Sequence, residues 1–268
     1  MENNSSRAVA LAQLKTQLQT LEQGPDRRVR PRPLAQAPEG FGDLATGVVH
    51  ELYATSPADV AALGGFSLGL AMRAADKRPI VWALDDMTAN EAGAPYGPGL
   101  DQMGLRVRDL ILVRVRNMQA LLAVGEEALN SPAVGAVVLS PWGDSRALSL
   151  TASRRLSLAA QTTGGTLFLA RTGADPAPSA AETRWSVSAA PSVAFEANSP
   201  GLPAFAVTLL RHRHGDAPRS WILEWDRERR SFIPPAPRPA QTLSGHLVSL
   251  AAERATGPRD SADHSHAA

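Results

Sequence analysis

The sequence contains no cysteine. Disulfides, iron–sulfur clusters and zinc ribbons are therefore excluded, and a reducing compartment is compatible with the chain. Lysine is almost missing as well: of 27 basic residues only Lys15 and Lys77 are lysines, and the rest are arginines in an alanine-rich background, as expected of a GC-rich genome. Aromatic residues make up only 5% and the formal net charge is +1, so no global field draws the chain to nucleic acid or to an anionic membrane. No apolar run reaches the roughly 20 residues of a membrane-spanning helix. The opening MENNSSRAVALAQLKTQ has no basic segment followed by an apolar one, so no signal peptide is expected. These absences point to a cytoplasmic protein.

What is present is ample core material. With 268 residues and 44% hydrophobic content, the chain suits one α/β domain with tails, or two small domains. Leu11, Leu14, Leu18 and Leu21 recur at helical spacing, and Gly24-Pro25 ends that pattern, which predicts an amphipathic helix over residues 1–24. Two heptads are too short to stand alone, so the stripe should dock, either on the chain's own core or on a neighbouring subunit or partner. GPDRRVRPRPLAQAPEG then reads as a Pro- and Arg-rich linker over 25–43, whose Arg27, Arg28, Arg30 and Arg32 read as solvated.

From Gly47 onward, strands and helices alternate. GVVHELYA, PIVWALD, DLILVRV, VGAVVLS and TLFLAR read as strands; Pro57–Ala75, NMQALLAVGEEALN and residues 145–163 read as helices. Short apolar strands alternating with helices imply a mainly parallel sheet flanked by helices. DMTANEAGAPYGPGLDQMG reads as a long loop. After Arg171, TRWSVSAAPS, AFAVTLLRHR and SWILEWD suggest an antiparallel extension with a hairpin at HGDAP. The expected domains are thus a core at 44–230 and a Pro-rich, largely disordered tail at 231–268.

The turn after GVVHELYA stands where nucleotide-binding α/β proteins carry a glycine-rich phosphate loop ending in Lys and Ser or Thr. No lysine occurs between Ala54 and Ala71, and Val60 and Ala61 fall at the Lys and Thr positions. The strand that would end in a magnesium-holding Asp ends in Ser140. Gly64, Gly65 and Gly69 lie inside the helical pattern, where they permit close packing. The expectation is phosphate-loop geometry without its chemistry, no catalytic residue, no metal and no cofactor.

Asp85, Asp86 and Glu91 follow a strand at the ligand-binding end of such sheets, but adjacent carboxylates there point apart and read as solvated. His212 and His214 alternate on a strand without a nearby third ligand, His264 and His266 lie in the tail, and His50 sits in a core strand. Arg114 with Arg116, Arg154 with Arg155, and Arg211, Arg213 and Arg219 form basic clusters. Trp221 and Trp225, at i and i+4 on one strand, share a face. They read either as a contact surface with the neighbouring arginines or as a structural pair.

Taken in order, GVVHELYA with its helix, RPIVWALD, PYGPGLDQMGL, LILVRVRNMQALLAVGEEAL, LTASRRLSLAAQTTGGTLFLAR, PSAAETRWSV and LLRHRHG…WILEWD resemble the ImuA-type proteins over about residues 44–228. These are RecA-like, sometimes SulA-like labelled, accessory factors of damage-inducible mutagenesis. The resemblance implies a RecA-like fold and a role in the SOS response. It implies partners in an ImuB-type inactive relative of Y-family polymerases, an error-prone C-family DNA polymerase and RecA, with weak DNA contact left open and the nucleoid as location. The segments standing where RecA carries its DNA-binding loops, SPWGDSRALS and TGADPAPSA, are short and poor in phosphate-binding residues. The leading expectation is therefore a non-catalytic adaptor using Leu11, Leu14, Leu18, Leu21, Arg211, Arg213, Trp221 and Trp225 as contacts. A cell-division inhibitor and a nucleotide-binding enzyme with a non-standard site are the alternatives.

Overall fold

A computed structural model describes residues 31–34, 44–195, 197, 199–213, 215 and 218–235. The Leu11–Leu21 stripe, Arg27, Arg28, Arg30, His214, His264, His266 and the tail beyond residue 235 lie outside the described residues. The chain runs through β1 (Arg32–Pro33), β2 (Ala45–Thr46), β3 (Val49–Ala54), α1 (Val60–Ala74), β4 (Ile80–Asp85), α2 (Asp86–Glu91), α3 (Gly97–Gln102) and β5 (Leu110–Val115). It continues through α4 (Met118–Asn130), β6 (Ala136–Ser140), α5 (Leu150–Thr163), β7 (Thr166–Arg171), β8 (Thr183–Ala189), β9 (Ala204–His212), β10 (Arg219–Asp226) and β11 (Ser231–Ile233).

Nine strands form one sheet in the order β11-β10-β9-β8-β3-β7-β6-β4-β5. Strands β8, β3, β7, β6, β4 and β5 pair in parallel, and β9, β10 and β11 add antiparallel. The strands β3, β4, β6 and β7 are almost wholly buried, as expected when helices cover both faces of a parallel sheet. On one face, Leu63, Phe66 and Leu70 of α1 pack with Leu52, Trp82, Val138 and Phe168. On the other, Leu121 of α4 and Leu156 of α5 pack with Val81, Val137 and Leu167. Side-chain caps fix the ends of these helices: Asn117 accepts the Ala120 N–H at α4 and Ser149 accepts the Ala152 N–H at α5. Gly164, at φ 76°, closes α5 in the left-handed conformation.

The antiparallel strands share the α1 side of the core. Phe66, Phe205, Trp225 and Phe232 form an aromatic cluster, with the Trp225 and Phe232 rings 4.8 Å apart. Gly69 makes this approach feasible, because a Cβ there would lie 2.6 Å from the Phe232 ring and 3.0 Å from Trp225. At Gly64 and Gly65 an added Cβ would meet only ordinary or slightly tight contact.

Several boundaries differ from the expectations. Arg32–Pro33 pairs with Ala45–Thr46, and Leu34 is buried in the core, so the stretch read as a linker is tied to the sheet domain at that point. A lone leucine among prolines and arginines carries no periodic signal. The helix expected from residue 145 begins at Leu150, because Ser149 caps it and Pro141–Ser149 form a loop held by a Trp142–Thr172 bridge. The loop after β4 contains the short helices α2 and α3. Residue 231 does not open the tail: Ser231–Ile233 is a strand on β10, and Phe232 is buried.

Strand β9 carries a bulge. Trp185 pairs with Leu209 but Arg184 pairs with Arg211, leaving Leu210 as the extra residue. Side chains of Phe205, Val207 and Leu209 point to the α1 side. Past the bulge, Arg211 follows its cross-strand partner Arg184 to the opposite side. Among the described residues no helix is long and apolar enough to cross a membrane.

Candidate functional site

The carboxyl edge of the parallel strands, beside the first turn of α1, is where open α/β sheets hold ligands. Between the end of β3 and the start of α1 there are only the residues Thr55–Asp59. A phosphate loop needs about eight, with free backbone N–H groups curled around the anion. Here Ser56 is extended, Pro57–Asp59 is a single 3-10 turn, and the Ser56 hydroxyl donates to the Asp59 carboxylate at 2.8 Å instead of capping the helix. The Ala189 N–H donates to the other oxygen at 3.0 Å. That N–H, aided by Ser56, holds the Asp59 carboxyl below its usual range against the opposing pull of burial. A carboxylate thus occupies the positive end of α1 that phosphate would otherwise claim.

The structure brings Val60, Ala61 and Ser140 together on one groove of about 350 Å³. Its walls are α1 (Leu68), the strand ends (Trp82, Thr172) and the segment around Tyr96 and Met103. Among the described residues no charged side chain lines it. Three of its polar side chains are already engaged: Trp82 Nε1 donates to the Ser140 hydroxyl at 2.9 Å, and the Thr88 hydroxyl donates to the Ser140 carbonyl at 2.8 Å. The groove suits apolar groups and offers nothing to offset a polyphosphate or to hold magnesium.

Asp85 and Asp86 diverge. Asp85 is buried and accepts the Thr88 N–H at 2.8 Å, capping α2, whereas Asp86 pairs with Arg114 at 2.6 Å on the surface. Glu91 is exposed at the far end of α2. Among the described residues no three His, Cys, Asp or Glu side chains converge as metal ligands.

The tryptophans do share one face, and it is the face beneath α1. Trp225 is 0% exposed and donates its Nε1–H to the Met103 carbonyl at 2.8 Å, so it is a core residue with no surface to offer a partner. This corrects the expectation of a Trp225 contact: strand periodicity shows which residues share a face, but not which face is covered. Trp221 is partly buried against Trp185, with ring centroids 5.8 Å apart. Arg211 and Arg213 are exposed and lie with Arg154, across the bulge from the tryptophans. Arg155 turns away to Glu126.

His50 is fully buried, stacked on Phe168. Its Nε2–H donates to the Ala45 carbonyl at 2.8 Å, and its Nδ1 accepts from the Thr183 hydroxyl at 2.7 Å. Burial lowers its pKa to about 4, outweighing the opposing Ala45 bond, with His212 adding a further lowering.

A buried polar network escaped sequence reading. Arg184 Nε donates to Glu51 at 3.0 Å, Tyr53 donates to the same oxygen at 3.2 Å, and Arg171 donates to Tyr53 at 3.0 Å and to Asp144 at 2.7 Å. Burial, then the Glu51 charge, push the Tyr53 hydroxyl pKa up. The chain of contacts fastens both loops at this edge, the one after β6 through Asp144 and the one after β7 through Ala177 and Ser179. The visible signal was an acidic residue in the middle of an otherwise apolar strand.

No family model matches the chain. It is similar to Protein ImuA from two strains of Caulobacter vibrioides, in each case 34% identical over 140 residues, covering 48% of this chain and 55% of the relative. The chain thus spans about half the length of the curated relatives it matches. This similarity supports an ImuA-type assignment.

Proposed function

We propose, with the likeness to Protein ImuA as premise, that this chain is a non-catalytic adaptor of SOS-induced, error-prone translesion synthesis. The similarity supports a family-level role in damage-inducible mutagenesis. The observation that carries the non-catalytic part is the groove holding Val60, Ala61 and Ser140, which lies beside the first turn of α1 and has no charged lining among the described residues. With Asp59 at the start of α1, the site repels a polyphosphate and supplies no counter-charge. The fold then serves as a scaffold that presents surfaces, bridging RecA with a mutasome of an ImuB-type polymerase relative and an error-prone C-family polymerase. The amphipathic stripe at Leu11, Leu14, Leu18 and Leu21 is one proposed contact, and the arginines Arg211 and Arg213 are another. The proposed location is the cytoplasm, at the nucleoid.

The test is a clean deletion complemented in trans. Loss of ultraviolet-induced mutation, restored by the wild-type gene and not additive with loss of the C-family polymerase, is expected. An unchanged induced mutation frequency overturns the proposal. Added ATP and magnesium should leave the melting temperature unchanged; a saturable rise contradicts the non-catalytic reading.

A further inference from the structure

On the face of the sheet opposite α1, a second groove of about 360 Å³ runs between α5 and the end of β9. Three guanidinium groups, Arg154, Arg211 and Arg213, line it. Among the described residues none of the three makes a side-chain hydrogen bond or ion pair, and no carboxylate lines the groove. Unpaired like charges facing one groove repel each other, a cost that a bound anion removes.

The groove is also apolar in a patterned way. Leu150, Arg154 and Leu158 stand at i, i+4 and i+8 on α5, forming one ridge along the helix. Leu150 is 43% and Leu158 50% exposed, so the ridge presents two apolar side chains about 12 Å apart with a cation between them. The strand wall supplies the other two cations only because the bulge at Leu210 turns Arg211 to this face. Among the described residues no aromatic side chain lines the groove, so they offer no stacking platform of the kind that single-stranded nucleic acid uses.

We propose that this groove binds an acidic peptide segment of a partner protein, with leucine-like side chains seated against Leu150 and Leu158 and carboxylates paired with Arg154, Arg211 and Arg213. Bidentate carboxylate–guanidinium pairs fix the orientation, and the ridge gives the affinity that charge alone does not. The inference deepens the adaptor reading and rests on it for the partner being a protein. The two fail separately, since the mutation assay scores the cellular role and the titration below scores the groove.

The test titrates the full-length protein into a fluorescein-labelled ten-residue peptide holding two leucines four residues apart among glutamates, followed by anisotropy. Saturable binding is expected that weakens by about tenfold or more in Arg211→Glu/Arg213→Glu and in Arg154→Glu. Leu158→Ser, at an exposed position, should weaken it too, and replacing the peptide's leucines by serine should reproduce that loss. Circular dichroism melting confirms that each variant is folded. No binding, or binding unaffected by these variants, overturns the proposal. So does an equal affinity for the serine peptide or preferential binding of a ten-nucleotide oligothymidine, which would mark a general polyanion or nucleic-acid surface instead.

Discussion

Glu51 of β3 and Arg184 of β8 face each other across neighbouring parallel strands, Oε2 to Nε 3.0 Å, with both side chains nearly out of solvent. A buried pair of this kind contributes little net stability while intact, yet breaking one side leaves a charge stranded in low dielectric. Glu51→Leu should therefore destabilise the protein by about 3 kcal/mol or more, read as a lower urea midpoint. Replacing both partners with leucine should recover part of that loss; a double variant no better than the single one would contradict the account.

His50 makes stability depend on pH. Its pKa of about 4 in the fold lies below the ordinary value of 6.5. As pH falls below 6.5 the unfolded chain takes up a proton that the folded protein does not, so stability drops across the window from 6.5 to 4, by as much as about 3 kcal/mol. His50→Gln cannot titrate. The stability difference between wild type and this variant should shrink steadily as pH falls through that window, and a constant difference would argue against a buried neutral imidazole.

Gly69 tests the aromatic packing under α1. Alanine is the better helix former by about 1 kcal/mol, but its Cβ would press on the rigid rings of Phe232 and Trp225. Gly69→Ala should thus lower stability by about 1–3 kcal/mol in spite of the helix gain. A stabilised variant, measured by thermal melting, would mean that the rings yield easily.

Asp85 and Asp86 are adjacent in sequence and should behave oppositely. Asp85→Ala removes the α2 cap at a buried position and should cost about 1 kcal/mol. Asp86→Ala breaks only an exposed pair with Arg114 and should stay within about 0.5 kcal/mol. Equal losses in denaturant titrations would refute the division of roles.

The parallel half of the sheet was legible because strands such as PIVWALD and AVVLS are short apolar runs bounded by turn residues, and their burial follows from helices on both sides. Leu34 and Phe232 were not legible: Leu34 alone, and Phe232 with only Ile233 beside it, stand in proline- and arginine-rich surroundings, and only tertiary packing recruits them. The same limit applies to the sites. That Val60, Ala61 and Ser140 would meet could be anticipated from their places in the strand–helix order. The meeting of Arg154 with Arg211 and Arg213 could not, because it depends on a bulge that local alternation conceals. Trp225 shows the complementary failure, where the periodicity was read correctly and the covering helix was not foreseen.

The bulge at Leu210 makes the length of β9 a matter of odd and even. Without that one residue Leu209 would still pair with Trp185 and Arg211 with Arg184, so every position beyond it would keep its present face. Straightening the strand with Leu210 retained would instead carry the Arg211 guanidinium toward the apolar layer, so the bulge keeps that charge on its own face. A single-codon deletion at this point should therefore be far milder than its place inside a strand suggests, since Leu210 is an exposed side chain whose removal leaves a regular ladder.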